Sequence, residues 1–330
     1  MSIPRHRRSA ALAALGAVVL TLTACGSGSG TTTSAAGGQQ RTALTVGVSP
    51  GAATSTPMYL AVRDGVFAEL GLDLELTVLQ DGTVAVPQVL NSETEFSMSG
   101  FGPAVQAIDK GLPIKLVGAA NVIPTSPDSE YQAIVVNAES GIDDIRQVRT
   151  WAADTTETDP AQAFAVDALG GDYAALDRRA VPFPAIGDAV ADGNADAALL
   201  NEPFLSEALG TGKVEVLSYV NGELTVPGAP GAVFIGSERY MAEHPDVTAR
   251  FMRGIQRAYE HAQAHQREVA EFVPETGLHD QAPPVAALGE YQQGPLDPAK
   301  VDALLEVFRC YGAIERDFGG ADIVHAPEAS

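Results

Sequence analysis

Leu44-Thr-Val-Gly-Val48, followed by Pro57-Met-Tyr-Leu-Ala-Val-Arg-Asp-Gly-Val-Phe-Ala-Glu-Leu-Gly-Leu-Asp-Leu-Glu75, reads as strand, helix and strand. The first run is short, apolar and β-branched. The second has helical content punctuated by two glycines and then returns to alternation. A strand, a crossover helix and a second strand form a unit whose strands lie parallel. Working outward, the same rhythm continues. Candidate strands are Leu44–Val48, Leu74–Leu79, Glu95–Ser99, Ile114–Ala119 and Tyr131–Asn137, with helical stretches between most of them. A second set follows at Thr150–Ala153, Arg179–Phe183, Asp196–Leu200, Val214–Val220 and Gly231–Gly236.

Beyond Gly236 the pattern changes. Val247, Phe251, Ile255 and Tyr259 step by fours and predict one long amphipathic helix to about Phe272. Asp297 and Pro298 predict the N-cap and first residue of another. No further strand is expected. The class is therefore α/β, with two mostly parallel sheets in two lobes. Residues 42–132 and 236–330 make a discontinuous first lobe and 133–235 the second. Tyr131–Asn137 and Gly231–Gly236 serve as the two crossover strands.

Outward in the other direction lies an address. Arg5, Arg7 and Arg8 precede an apolar run from Ala10 to Leu22. That run is too short for a bilayer about 30 Å thick, so residues 1–24 read as a signal peptide. It ends in Leu22-Thr-Ala-Cys25, which resembles a bacterial lipobox with Cys25 as the lipid acceptor. The following Gly/Ser/Thr-rich stretch to Arg41 has no apolar period and serves as a flexible tether, residues 25–41. The expectation is a lipid-anchored extracytoplasmic monomer. Cys310 lies off the Val301/Leu304/Leu305/Phe308 stripe and is expected to be a half-buried, inert thiol.

Composition narrows the function. Among 330 residues, 45% are hydrophobic and 19% charged, enough apolar material for two cores. A net charge of −22 excludes a phosphate-seeking nucleic-acid surface. Two cysteines exclude a disulfide scaffold or a four-thiolate zinc site. His261 and His265 stand one turn apart, a spacing zinc can use, but without the glutamate of a His-Glu-x-x-His motif they read as a solvated helix face. No nucleophile elbow and no P-loop occur, and neither cofactor nor metal is expected.

In open parallel sheets, ligands bind beyond the carboxyl ends of the strands. The candidate residues at and beyond the ends of the strands are Ser55, Thr56 and Pro57; Asp81; Ser99, Gly100 and Phe101; and Asn121. The second lobe adds Thr155, Thr156, Glu157, Thr158, Phe183, Asn201 and Glu202. Thr56 and Asp159 suit helix N-caps, and Pro57, Pro103, Pro160 and Pro203 suit first turns, so helix N-termini would line the cleft. The cations between Arg41 and Gly236 fall mostly at helix C-termini or before strands, whereas Asp81, Asp154, Glu157, Asp159 and Glu202 fall at the cleft edge. A neutral or cationic ligand is thus as plausible as an anion held by helix dipoles.

The opening stretch also resembles periplasmic solute-binding proteins of the nitrate/sulfonate/taurine and thiamine-precursor type. The resemblance continues through Phe96-Ser-Met-Ser-Gly-Phe-Gly-Pro103, Lys110-Gly-Leu-Pro-Ile-Lys-Leu-Val117 and Asp196-Ala-Ala-Leu-Leu-Asn-Glu-Pro203. It implies a type II periplasmic-binding-protein fold and a receptor that closes on a small polar molecule and delivers it to an ABC permease with cytoplasmic ATPase subunits. It also implies ligand contacts around Ser55–Pro57, Ser99–Phe101, Thr155–Thr158 and Asn201–Glu202. Two departures leave the ligand open among sulfonate, nitrogen heterocycle and small amine. Asn201 stands where relatives often carry Trp, and the first loop of the second lobe is Thr/Glu-rich. The alternatives are an enzyme of thiamine-pyrimidine or menaquinone-precursor type on the same fold, or an orphan sensor or scavenger.

Overall fold

A computed structural model describes residues 41–79, 84–126, 131–154 and 159–326. The signal peptide, Cys25 and the tether to residue 40 lie outside the described residues. So do Asp81 and Thr155, Thr156, Glu157 and Thr158.

The first lobe opens with β1 (Thr42–Val48), α1 (Ala52–Arg63), α2 (Val66–Glu69), β2 (Leu72–Val78), α3 (Ala85–Asn91) and β3 (Phe96–Gly100). It continues through α4 (Phe101–Asp109), β4 (Ile114–Ala119) and the short β5 (Asn121–Val122). The chain then crosses to β6 (Gln132–Asn137), β7 (Thr150–Ala153), α5 (Pro160–Ala168), β8 (Asp177–Ala180), α6 (Ile186–Ala191), β9 (Ala197–Asn201), α7 (Phe204–Gly210) and β10 (Val214–Tyr219). It returns through β11 (Ala232–Ser237), α8 (Glu238–Glu243), α9 (Pro245–Ala264), α10 (Gln266–Thr276), β12 (Glu290–Tyr291), α11 (Pro298–Cys310) and α12 (Gly320–Ile323).

Two five-stranded sheets result, in the orders β2-β1-β3-β11-β4 and β10-β6-β9-β7-β8. β1 runs parallel to β2 from Thr42 opposite Leu72 to Val48 opposite Val78. β11 is antiparallel to both its neighbours, and so is β6. The two strands read as crossovers are thus the members that run against the other four in each sheet. Their side chains alternate between faces, as a two-residue period requires. Phe234 joins the core shared with α1, α9 and α10, while Val233 and Ile235 join the one shared with α4 and α11. Ala133 and Val135 pack toward α6 and α7, and Ile134 and Val136 toward α5 and Trp151. Helices therefore cover both faces of each sheet. Phe96 stacks on Phe251 with centroids 4.1 Å apart, pinning α9 onto the first sheet.

Four local expectations are corrected. The helix predicted to start at Thr56 and Pro57 starts at Ala52, with Gly51 as N-cap and Pro57 inside it. Ser49 accepts the Gly51 N–H at 3.0 Å and closes the turn earlier than the proline rule implies. Of the other three prolines, Pro103 lies in the first turn of α4 and Pro160 at the first position of α5 after the cap Asp159, both as expected, whereas Pro203 is the N-cap of α7. Second, the long C-terminal helix breaks at His265, whose φ of −131° is not helical. The apolar stripe continues across the break from Tyr259 and Ala262 to Val269 and Val273, so periodicity alone does not reveal it. Third, a strand does follow Gly236: β12 pairs antiparallel with β5. Asp297 caps α11 as predicted, accepting from Ala299 N at 2.9 Å, but Cys310 is exposed rather than half-buried.

Candidate functional site

Both connections between the sheets are short and leave from the carboxyl edges. Ala119 and Tyr219 end β4 and β10, while Gln132 and Ala232 begin the strands reached. The edges at which a parallel sheet binds ligands are therefore joined by the two crossings. Asn121 and Tyr131 hold the first crossing. Asn121 Oδ1 accepts the Ala232 N–H at 2.8 Å, and its side chain also bonds the Tyr131 hydroxyl. The Tyr131 carbonyl in turn accepts from Glu202 N at 2.9 Å. Burial pushes the Tyr131 hydroxyl up to about 12, and the Glu202 carboxylate adds to the shift. Asn121 thereby ties the two crossings to each other, and the Tyr131 carbonyl carries the link on to Glu202 beyond β9.

The start of α1 forms one wall. Pro57 has no N–H for the carbonyl four residues earlier, that of Ala53. The Tyr291 hydroxyl donates to it at 2.8 Å, and the Tyr259 hydroxyl donates to Thr54 O at 2.7 Å. Two buried tyrosines from the C-terminal segment thus carry a turn that the proline would otherwise leave short of partners. Ser55 is buried and donates to Ser49 O at 2.7 Å. Thr56 is fully buried, and its hydroxyl has no partner among the described residues.

Along the same edge, Ser99 donates to Gly100 O at 3.1 Å, and Gly100 is the N-cap of α4. Phe101 is buried edge-on against Phe308, 5.6 Å away, in the core of the first lobe. The α1 and α4 starts have no side-chain cap.

The opposite wall comes from the end of β9. Asn201 Oδ1 is buried and has no partner among the described residues. The two Glu202 oxygens accept from Ser206 Oγ at 2.7 Å and Ser206 N at 3.1 Å, which leaves lone pairs on both. Phe183 meets Phe204 edge-on at 5.1 Å, both half-buried against the core of the second sheet. Asp159 caps α5, and burial raises its carboxyl above the usual range against the pull of the Ala161 and Gln162 N–H groups.

The structure brings the two walls together. A small cavity is lined by Ala52 and Ala53 of α1, Pro203 from the opposite wall, and Val273, His279, Pro283 and Ala287. His279 bonds Glu207 of α7 across this gap. Neither His279 nor the supporting tyrosines follow from a local sequence rule, because each partner is remote in the chain. Phe204, two residues after Glu202, is recoverable from its position at the strand end.

Lys300 reaches the second crossing, donating to Pro227 O at 3.1 Å, while several other cations are held by neighbours elsewhere. Arg63 bonds Asp64 and Glu268, Lys115 lies beside Glu238, Arg146 bonds Asp144, and Lys213 lies beside Asp192. Arg178 packs over the Tyr173 ring. Asp64, His261 and Glu268 come within metal-binding reach of one another, but the Arg63 guanidinium already bonds both carboxylates, making the group a charge network linking α1, α9 and α10.

A family model described as NMT1/THI5 like matches residues 52–269. The chain belongs to the NMT1/THI5-like family. It is 27% identical over 214 residues to a formylaminopyrimidine-binding protein of Halalkalibacterium halodurans, a match covering 63% of this chain and 62% of the relative's length. The fold of this NMT1/THI5-like chain is that of periplasmic binding proteins. The alkanesulfonate-binding protein of Xanthomonas axonopodis pv. citri, bound to MOPS, superposes with a TM-score of 0.68 at 15% identity, covering 87% of this chain and 99% of the other. The periplasmic nitrate-binding protein of Synechocystis PCC 6803 gives 0.63 at 12% identity, with 83% of each chain covered. Among the described residues, no helix is long and apolar enough to cross a membrane.

Proposed function

We propose that this chain is an extracytoplasmic solute-binding receptor of an ABC importer, lipid-anchored at Cys25, that captures a small neutral nitrogen heterocycle of aminopyrimidine type. Lobe boundaries at 42–132 with 236–330, and at 133–235, accompany this reading. The observation that carries it is a pair of buried oxygens, Thr56 Oγ1 in α1 and Asn201 Oδ1 at the end of β9, without partners among the described residues. A buried acceptor left unmade costs about 1–3 kcal/mol, so a ligand rich in N–H donors gains by satisfying both. The aromatic pair Phe183/Phe204 suits a flat ring, and Asp159 and Glu202 disfavour an anion. The formylaminopyrimidine-binding relative supports the same class. Ser55, Pro57, Asp81, Ser99, Gly100, Asn121 and Thr155–Thr158 complete the proposed surround, with Phe101 acting from the core behind it. A binding role is favoured over an enzymatic one because the curated relative and the superposed structures are binding proteins.

A second reading, a sulfonate held at the start of α1, rests on the lack of a side-chain cap there. One experiment separates the two. The full chain is titrated calorimetrically with an aminopyrimidine, an alkanesulfonate, nitrate and a small amine. Saturable binding of the aminopyrimidine with no response to the sulfonate is expected. Binding of the sulfonate alone transfers the site to the start of α1, and silence from all four overturns the receptor reading for these ligand classes.

A further inference from the structure

Across the mouth of the cleft, His279 Nε2 lies 3.1 Å from Glu207 Oε1. His279 belongs to the loop after α10 in the first lobe and Glu207 to the first turn of α7 in the second. The same imidazole lines the cavity shared by Ala52, Ala53 and Pro203, so the contact seals the place where the two walls meet. We propose that His279 and Glu207 form a proton-controlled latch between the lobes, with His279 as a positioning residue that biases the cleft toward its closed form.

The surroundings of the ring are simple. α1 presents Ala52 and Ala53, α10 presents Val273, and the segment before β12 presents Pro283 and Ala287. The charged groups facing it are Glu207 from α7 and Asp280 of its own loop, both acidic. Nδ1 lies 3.0 Å from Gln281 O and 3.2 Å from Gln281 N. A protonated ring donates to Glu207 and to Gln281 O together. A neutral ring keeps the Glu207 bond from Nε2 and turns Nδ1 into an acceptor for Gln281 N–H. Deprotonation therefore removes the ion pair without forbidding the contact. Glu207 and the Gln281 carbonyl raise the imidazole above its ordinary value, burial opposing them. Because protonation is favoured in the closed form, the added closure is fully present below the ordinary histidine value. It is lost as pH rises through the raised one.

A second tie supplies the contrast. Tyr311, just after α11, donates to Asp167 Oδ2 of α5 at 2.9 Å. Burial and Asp167 push this hydroxyl up to about 12, so it does not titrate near neutrality. One tie between the lobes is thus insensitive to protons between pH 6 and 8, and the other is sensitive.

The inference rests on the receptor reading for its purpose, ligand retention, but its test needs no ligand. Amide hydrogen exchange is followed on the full chain over 204–210 and 277–289 at pH 6 and pH 8, corrected for intrinsic exchange rates. Wild-type protection in both segments should fall about two- to fivefold between pH 6 and pH 8, the range for a partly exposed ion pair. His279→Gln and Glu207→Gln should each abolish that change, while Tyr311→Phe should lower protection equally at both pH values. A pH response that persists in both latch variants, or its absence in wild type, overturns the latch. Failure of the ligand titration would overturn the receptor reading while leaving this result intact.

Discussion

The hydroxyl of Thr56 and the hydroxyl of Tyr291 sit in opposite situations, and their removal should have opposite signs. Thr56 Oγ1 is buried without a partner among the described residues, so Thr56→Val exchanges an unmade hydrogen bond for a methyl of the same shape. Its melting temperature should stay level or rise, while affinity for the aminopyrimidine falls by about 0.5–1.5 kcal/mol. Calorimetry and thermal denaturation on one preparation check both halves. A loss of stability with unchanged affinity would mean that the hydroxyl serves the fold and not the ligand. Tyr291→Phe does the reverse: it leaves the Ala53 carbonyl buried and unpaired at the proline break. A loss of about 1–3 kcal/mol is expected in urea unfolding. Pro57→Ala placed in the Tyr291→Phe background should recover part of that loss, because alanine restores the missing N–H. Recovery of nothing would show that the tyrosine stabilises by packing alone.

At the scale of elements, α9 crosses α2 through a gap made by Gly254. A Cβ built there would stand 2.2 Å from the Phe67 ring, closer than any real contact. Gly254→Ala should therefore destabilise by about 1–3 kcal/mol through overpacking, although alanine favours an isolated helix by about 1 kcal/mol. Chemical denaturation gives the sign directly, and a stabilised variant would mean that the Phe67 ring yields freely. The same contest between local preference and remote packing decides what the sequence reveals. β4 and β7 match their expected limits because each is an apolar run bounded by turn residues. The α1 start does not, because its proline rule is overruled by tyrosines more than 200 residues away. The break at His265 is hidden for another reason. Both α9 and α10 bury the same apolar stripe, which carries the period past the kink. At the site, Asn201 and Glu202 are legible because they end a strand. Asn121 is legible too, but its position does not disclose that it ties the crossings together. His279 is invisible to any local rule, since its partner Glu207 is 72 residues away in the chain.

At the scale of the whole molecule, charge and attachment must be reconciled. The net charge is −22, with Arg5, Arg7 and Arg8 counted in a segment that the signal-peptide reading removes. The mature body would be more acidic still. An anionic bilayer repels such a body, so electrostatic docking cannot hold it at the membrane. Attachment would depend on the acyl chains at Cys25, each buried CH₂ contributing about 0.8 kcal/mol, with two chains needed for a stable anchor. On that reading, a flexible tether of the sixteen residues Gly26–Arg41 would reach about 20–24 Å and hold the lobes just above the surface. Cys25→Ser should therefore move the protein entirely from the membrane to the soluble fraction, at low and at high salt alike. Fractionation by ultracentrifugation at two ionic strengths checks this. Membrane association that persists in the variant and is released by salt would assign attachment to a protein partner's charge. Association that persists and resists salt would place an apolar anchor elsewhere in the chain.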